Sequence, residues 1–277
     1  MMIPMDPKNL ALSVDILKKH TVDDLIDAMI DLEQADCPVR HYFGDGFCIR
    51  EVRMKAGTFA IGHIQNFPQM NVFIKGKVLM LNPDGTKRVL EAPATFMGAA
   101  GRKVGYILED VIWQNIWPTT ETDIEKIEAH FLTKKESFLE HEKIRLGSQE
   151  VARLDYQKVL SETGFSHELA VQESESSYAS VPCPEVAVLT STIEGKGLHA
   201  TASFRAGDKI MGARIKGLRT QAGRFVNHSP TPNAEFRENG DDVDLYAIKP
   251  ISGMRGGQRG DEITVDYRQA LRFRRVA

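Results

Sequence analysis

The chain has 277 residues, 42% of them apolar, and a formal net charge of −3, which leaves room for two domains with buried cores and gives no overall charge reason to expect a nucleic-acid partner. No apolar stretch approaches the roughly 18 residues of a membrane span, and residues 1–6 lack the basic region and apolar run that open a signal peptide. Cys37, Cys48 and Cys183 are scattered without a Cys-x-x-Cys pair, so a structural zinc site is disfavoured and reduced thiols in a cytoplasmic setting are expected.

Residues 7–33 read as helical, because Leu10, Val14, Ile16 and Leu17, then Leu25, Ile26, Met29, Ile30 and Leu32, recur near a 3.6-residue period. Thr21, with Asp24 three residues on, suits the N-cap of the second of two helices. From Tyr42 the texture changes to short apolar runs at 47–54, 57–65, 70–81, 87–90, 95–98, 104–109 and 111–117. Asn82-Pro83-Asp84-Gly85-Thr86 is a hairpin turn between two of them. Many short strands at this spacing predict a β sandwich or barrel.

Within the runs lies Gly57-x5-His63-x-Gln65-x3-Gln69-x6-Gly76. Residues two apart in a strand face one side, so His63 and Gln65 point together. The spacing resembles the first motif of the cupin family, over roughly 45–118. Where that motif carries metal ligands this chain has Gln65 and Gln69, and Val104 stands where the second motif needs a His. One imidazole and two amides make a poor transition-metal site, so no metal is expected and His63 is read as a hydrogen-bonded interior residue. The run from Gly105 to Trp113 and on to Pro118-Thr119 is similar to cupin-like proteins carried by tailed phages, which implies a phage gene product acting in a bacterial host.

Thr122-x-x-Glu125 has the form of a capping box before Ile124, Ile127 and Phe131, with helical spacing continuing through Phe138 and Leu139. A further helix is predicted from about Ser148 to Thr163, stopping at Gly164. The Ser- and Glu-rich stretch 173–177 and Pro182-Cys183-Pro184 read as an exposed linker, placing a domain boundary near 176–184. At the other end, Arg268, Arg272, Arg274 and Arg275 read as a solvated basic tail, with a basic lip that attracts an acidic partner or nucleic acid as the alternative.

The last hundred residues hold the chemistry. Gly195-Lys196-Gly197-Leu198-His199-Ala200 follows a short strand at 186–189; alone it is a tight turn, and with no helix after it a dinucleotide-binding loop is disfavoured. Ala206-Gly207-Asp208-Lys209-Ile210, Arg224-Phe225-Val226-Asn227-His228-Ser229-Pro230-Thr231-Pro232-Asn233, Ala247-Ile248-Lys249-Pro250-Ile251 and Gly260-Asp261-Glu262-Ile263-Thr264-Val265-Asp266-Tyr267 complete a series of five. In this order, across about 185–268, the segments resemble the SET-domain family of protein lysine methyltransferases.

That resemblance implies methyl transfer from S-adenosylmethionine to a lysine side chain of a protein substrate. It implies that Gly195, Lys196 and Gly197 contact the cofactor through backbone, that Arg224, Phe225, Asn227 and His228 hold its amino-acid and adenine ends, and that Tyr267 is the catalytic tyrosine. Phe225, Phe236 and Tyr246 are candidate walls of the lysine channel, with Phe236 and Tyr246 equally readable as core residues, and Asp266 is read as orienting the turn before Tyr267. The insert after Ile210 is shorter than the family's, no zinc-binding cysteine cluster follows Tyr267, and 252–259 is lengthened. The lengthened loop is read as a solvated hairpin tip, with a lid or substrate contact as the alternative. A homo-oligomer that completes the channel is expected.

The expected architecture is mainly β, α+β overall. It comprises a helical lead-in (1–40), a cupin-like β barrel (41–120), a helical connector and linker (121–184), and a SET-type β fold with a threaded-loop pseudoknot (185–277). The expected function is that of a protein lysine N-methyltransferase acting on a host or virion protein. The alternative is a virion-associated assembly protein whose SET domain is non-catalytic or weakly active. Neither a membrane nor a nucleic acid is expected as partner.

Overall fold

The apolar runs of residues 47–118 fold into one curled antiparallel sheet. The computed structural model describes residues 1–6, 21–82, 86–146, 150–164, 166–168, 172 and 178–271. The chain divides into two compact units, Met1–Arg145 with Met254–Arg259, and Leu146–Gly253 with Gly260–Ala277.

In the first unit the elements are β1 (Met2–Pro4), α1 (Val22–Ile30), β2 (Val39–Gly44), β3 (Phe47–Met54), β4 (Thr58–Ile61), β5 (Ile64–Gln65), β6 (Gln69–Leu81), β7 (Lys87–Glu91), β8 (Ala94–Gly98), β9 (Val104–Pro118), α2 (Ile124–Phe131), β10 (Leu132–Thr133) and α3 (Glu136–Leu146). The sheet runs β1-β4-β9-β3-β2, and β6 joins it by pairing with β7, β8 and β9. The register of β6 on β9 shifts between Phe73 and Val78. Extra residues in one strand bend it and raise its twist, which curls a sheet. Gly76 sits in that irregular stretch at φ +92°, where an added Cβ would lie 2.3 Å from Asp110 O, so glycine is required there.

Several boundaries differ from the sequence reading. The run 57–65 is two strands, β4 and β5, and β2 was not foreseen. The runs 104–109 and 111–117 are a single strand, β9. Asp110, read as a break, stays in it because its carboxylate accepts the Ala56 N–H at 3.0 Å and pairs with Lys55 at 2.7 Å. Thr21 caps α1 as expected, accepting from Asp24 N while Asp24 accepts from Thr21 N. The other half of the expected lead-in, residues 7–20, lies outside the described residues. The cap of α2 is Asp123, not Thr122: Asp123 Oδ1 accepts from the N–H groups of Glu125 and Lys126, while Thr122 N–H is turned to Glu121. The helical spacing through Phe138 is interrupted by β10, which pairs with β5.

Two apolar clusters tie these helices to the sheet. Ile26 and Met29 of α1 and Phe138 of α3 pack with Phe59, Ile61 and Tyr106. Ile127 and Phe131 of α2 pack with Cys48 and Trp117, the Phe131 and Trp117 rings stacked at 5.0 Å. Each such fully buried side chain stabilises the fold by about 1.5–3 kcal/mol. Met254–Arg259 also belongs to this unit. Gln258 is 4% exposed and donates to His141 Nδ1, Arg259 pairs with Glu125 and Glu142, and Cys37 N–H donates to Met254 O. These contacts overturn the solvated hairpin tip.

The second unit comprises α4 (Glu150–Thr163), β11 (Val186–Thr190), β12 (Lys196–Ala200), β13 (Lys209–Ile215), β14 (Leu218–Arg219), α5 (Gln221–Phe225), β15 (Asn227–His228), β16 (Ala234–Asn239), β17 (Asp242–Ala247), β18 (Glu262–Val265) and α6 (Tyr267–Ala270). Two four-stranded sheets, β11-β12-β18-β15 and β14-β13-β17-β16, share a core containing Leu198, Leu245, Ile251, Ile263 and Val265. α4 stops before Gly164 at φ +65°, the left-handed residue that ends helices. The stretch around Pro182-Cys183-Pro184 is not an exposed linker. Val181 and Cys183 pack on the core, Val181 N–H donates to Gln221, and Thr201 donates to Pro184 O. Residues 173–177 lie outside the described residues. Among the described residues no helix is long and apolar enough to cross a membrane, and the three cysteines are free.

Candidate functional site

The parallel pairing of β15 with β18 brings the separated motifs together. Asn227 lies opposite Thr264 and His228 opposite Val265. Asn233 fastens the same segment: its amide donates to Glu262 O and accepts from Thr264 N–H, both at 2.8 Å. A parallel strand two residues long is a weak element, so this side-chain clamp is what holds the drawn-in segment.

Gly195 turns the chain into β12 at φ +52°. Gly197 serves a different need. A Cβ there would lie 2.3 Å from Glu262 Oε1, so the missing side chain makes room for a buried carboxylate. Glu262 accepts from Ser191 Oγ at 2.8 and 2.9 Å and from Asn227 Nδ2 at 2.8 Å. Asn227 Nδ2 also reaches Glu194 O and Lys196 O. Its donors are therefore directed at the turn, and Oδ1 is left to accept. Lys196 enters through its backbone, paired with Thr190 on β11.

His228 is 2% exposed. Tyr267 N–H donates to its Nδ1 at 3.2 Å, so Nδ1 is the acceptor and Nε2–H is the donor, directed at Asp155 Oδ2 at 3.0 Å. Arg268 grips the same carboxylate through Nη1 at 2.8 Å and pairs with Glu162, so it is not part of a solvated tail. Residues 272–277 lie outside the described residues. The hydrogen bond from Arg268 is the main reason the Asp155 carboxyl is lowered to about 2; burial opposes it, and the hydrogen bond from His228 lowers it further. Asp266 caps α6 by accepting from Arg268 N–H, the turn-orienting role expected of it.

The Tyr267 hydroxyl donates to Val226 O at 3.0 Å. Its ring meets Tyr156 edge-on at 5.9 Å and tilts against His228 at 5.3 Å. Burial first, then the neighbouring Tyr156 and Glu262, push the phenol well above its ordinary value, opposed by Arg219. The phenol stays protonated and can act as a neutral hydrogen-bonding group. The expected channel walls are dispersed. Phe225 meets Tyr178 edge-on at 5.2 Å, Tyr246 lies under the Arg237 guanidinium at 4.5 Å, and Phe236 packs against the core. Arg224 stacks its guanidinium 5.1 Å from the Phe225 ring, and its buried Nε has no hydrogen-bond partner. A buried cationic donor with no partner among the described residues is costly and suits a ligand carboxylate.

A model of the SET domain matches residues 120–268, more than half of the chain. The chain belongs to the SET-domain family. SET domains are generally S-adenosylmethionine-dependent protein lysine methyltransferases. A search of the curated proteins found no match. Solved structures similar to part of the chain include a cupin-2 domain containing protein from Shewanella frigidimarina NCIMB 400, at 12% identity over 37% of this chain and 96% of that one, TM-score 0.26. Another is the Cupin_2 domain of an XRE family transcriptional regulator from Enterobacter cloacae, at 18% identity over 31% and 100%, TM-score 0.25.

Beside the SET motifs, Asp155, Tyr156 and Glu162 of α4 went unread in the sequence, as did the roles of Ser191, Asn233 and Glu262. Glu262 lies inside a quoted motif, and a buried acid there could have been sought. Asp155 and Tyr156 carry no local signal, since an Asp-Tyr pair on a polar helix is ordinary.

Proposed function

We propose that the protein is an S-adenosylmethionine-dependent protein lysine N-methyltransferase whose site is built by Gly195, Lys196, Gly197, Arg224, Phe225, Asn227, His228 and Tyr267. The reading rests on one observation above the others: the pairing of β15 with β18 sets Asn227, whose Oδ1 makes no hydrogen bond among the described residues, beside the segment that ends in the protonated Tyr267. S-adenosylmethionine, when bound, supplies an electrophilic methyl group. Arg224 Nε suits its carboxylate, and Asn227 Oδ1 suits its ammonium. Lysine attacks only when neutral, and its reference pKa is about 10.4, so an apolar channel that disfavours the ammonium promotes the reaction. Tyr267 orients the amine through its hydroxyl without ionising, and most of the remaining barrier is lowered by positioning.

The four-segment division, with the SET domain at 185–277, the phage origin, the host or virion substrate and a homo-oligomer belong to the same proposal; the Gly105–Trp113 run supports the phage origin. Calorimetric titration with S-adenosylmethionine should show one site, and tritiated methyl transfer to a bacterial lysate should fall about 100-fold in Tyr267→Phe, the scale of losing one positioned donor. Absence of binding would sink the proposal. Binding without transfer would favour the assembly protein with a silent SET domain.

A further inference from the structure

The first unit's curled sheet lines a partly open cavity of about 120 Å³ that the proposed methyl transfer does not use. The volume is close to that of a protein cavity known to hold benzene. Alternation along β3 turns Arg50, Val52 and Met54 into it. Most of the wall is aliphatic or thioether. Lys103 and the Met1 amine also line it, donating to Ala99 O and Ile61 O, and its other polar groups fall into two classes. Gln69 and Asn71 are already engaged, accepting from Trp117 Nε1, from Trp113 Nε1 and from Asn115. Arg50, His63 and Gln65 each keep polar atoms that make no hydrogen bond among the described residues.

Arg50 is 9% exposed. Its Nε donates to Glu128 at 3.1 Å, and its two terminal nitrogens make no hydrogen bond among the described residues. Gln65 Oε1 is buried with no hydrogen-bond partner among the described residues. His63 meets Phe138 edge-on, and its ring nitrogens make no hydrogen bond among the described residues, which corrects the hydrogen-bonded interior residue expected from sequence. Charge points the same way. Arg50 and Lys134 both pair with the single carboxylate of Glu128, two cations against one anion. Burial holds the imidazoles of His41 and His63 below their ordinary range, so neither supplies a further charge at neutral pH. The surplus positive charge opposes a metal cation, and among the described residues no three His, Cys, Asp or Glu side chains group to hold one.

We propose that this cavity binds a small organic monocarboxylate, its carboxylate on the terminal nitrogens of Arg50 and its apolar body against the aliphatic and thioether wall. A guanidinium fork matches a carboxylate in plane and spacing. The anion would balance the charge that Glu128 leaves uncompensated, and the Gln65 Nε2 amide and the N–H of the neutral His63 would donate to it. Inorganic phosphate offers the same charge but no apolar body, and the cavity would leave most of its oxygens unsatisfied.

Both tryptophans of the chain report on this place, since Trp113 lines the cavity and the Arg50 guanidinium lies 5.9 Å from the Trp117 ring. Butyrate, cyclohexanecarboxylate and benzoate, each beside its neutral amide and beside inorganic phosphate, would be titrated into the full-length protein by calorimetry, with tryptophan fluorescence in parallel. At least one carboxylate is expected to bind tenfold or more tightly than its amide and than phosphate. Arg50→Gln is expected to erase that preference, and Val78→Phe, which fills the cavity without touching the charges, to abolish binding with the circular dichroism spectrum retained. If no carboxylate outperforms its amide, if phosphate binds best, or if folded Val78→Phe binds as wild type does, the proposal is overturned. The comparison of acid and amide in the wild type stands whether or not either variant folds.

Discussion

His228 is held by partners at both ring nitrogens, and one of them, Asp155, belongs to a helix remote in sequence. Asp155→Ala would leave Nε2–H buried without an acceptor, which costs about 1–3 kcal/mol; urea unfolding should show the loss. The same carboxylate has a pH signature. Its value is depressed to about 2, so the stabilisation is complete above the unfolded value near 3.9 and fades as pH falls from about 4 towards 2. Asp155→Asn should flatten that part of the stability–pH curve. Tyr267 gives a signature at the other end. Because its phenol is raised, the methyl-transfer rate should climb with pH as the substrate lysine loses its proton. It should not fall as pH passes about 10, where an unperturbed tyrosine ionises. A descending limb there would contradict a protonated, buried Tyr267.

Between elements, β12 and β18 meet where Gly197 faces Glu262. Gly197→Ala would push its Cβ into a carboxylate already fixed by Ser191 and Asn227. Overpacking of this kind costs about 1–3 kcal/mol, and by displacing Asn227 it should also weaken S-adenosylmethionine binding in calorimetry. A lowered melting temperature with unchanged affinity would separate Glu262 from the site. The segment Met254–Arg259 is likewise held by specific partners rather than left as a lid. Arg259→Ala removes the cation beside Glu142, which is 6% exposed, and should destabilise the first unit by about 1–3 kcal/mol. Thermal unfolding followed by tryptophan fluorescence reads that unit alone, because Trp113 and Trp117 both lie on β9.

For the whole molecule, the chain divides into two compact units, each with an apolar core of its own, so cooperative unfolding is expected unit by unit. S-adenosylmethionine at about 100 times its dissociation constant should then add about 2.7 kcal/mol to the second unit. It should shift the circular dichroism transition and leave the tryptophan transition in place. Coincident curves with and without ligand would contradict separate units.

What the sequence determined by itself was local or ordered along the chain. Alternation announced the strands of the curled sheet, Thr21 and Asp24 announced a helix start, Gly164 a helix end, and five motifs in order announced the SET domain. Each of these signals is written within a few residues by side-chain period, backbone freedom or a capping hydrogen bond. Only the tertiary structure decided that Asp155 serves His228, that Glu262 fills the space Gly197 leaves, that residues 254–259 belong with the first unit, and that Arg50 enters a cavity with its fork unbonded. Those contacts join positions far apart in the chain through burial and charge pairing, which leave no period to read. The stretch from Arg224 to Asn233 shows both sides: its motif was plain in the sequence, and the partners that hold it came only with the fold.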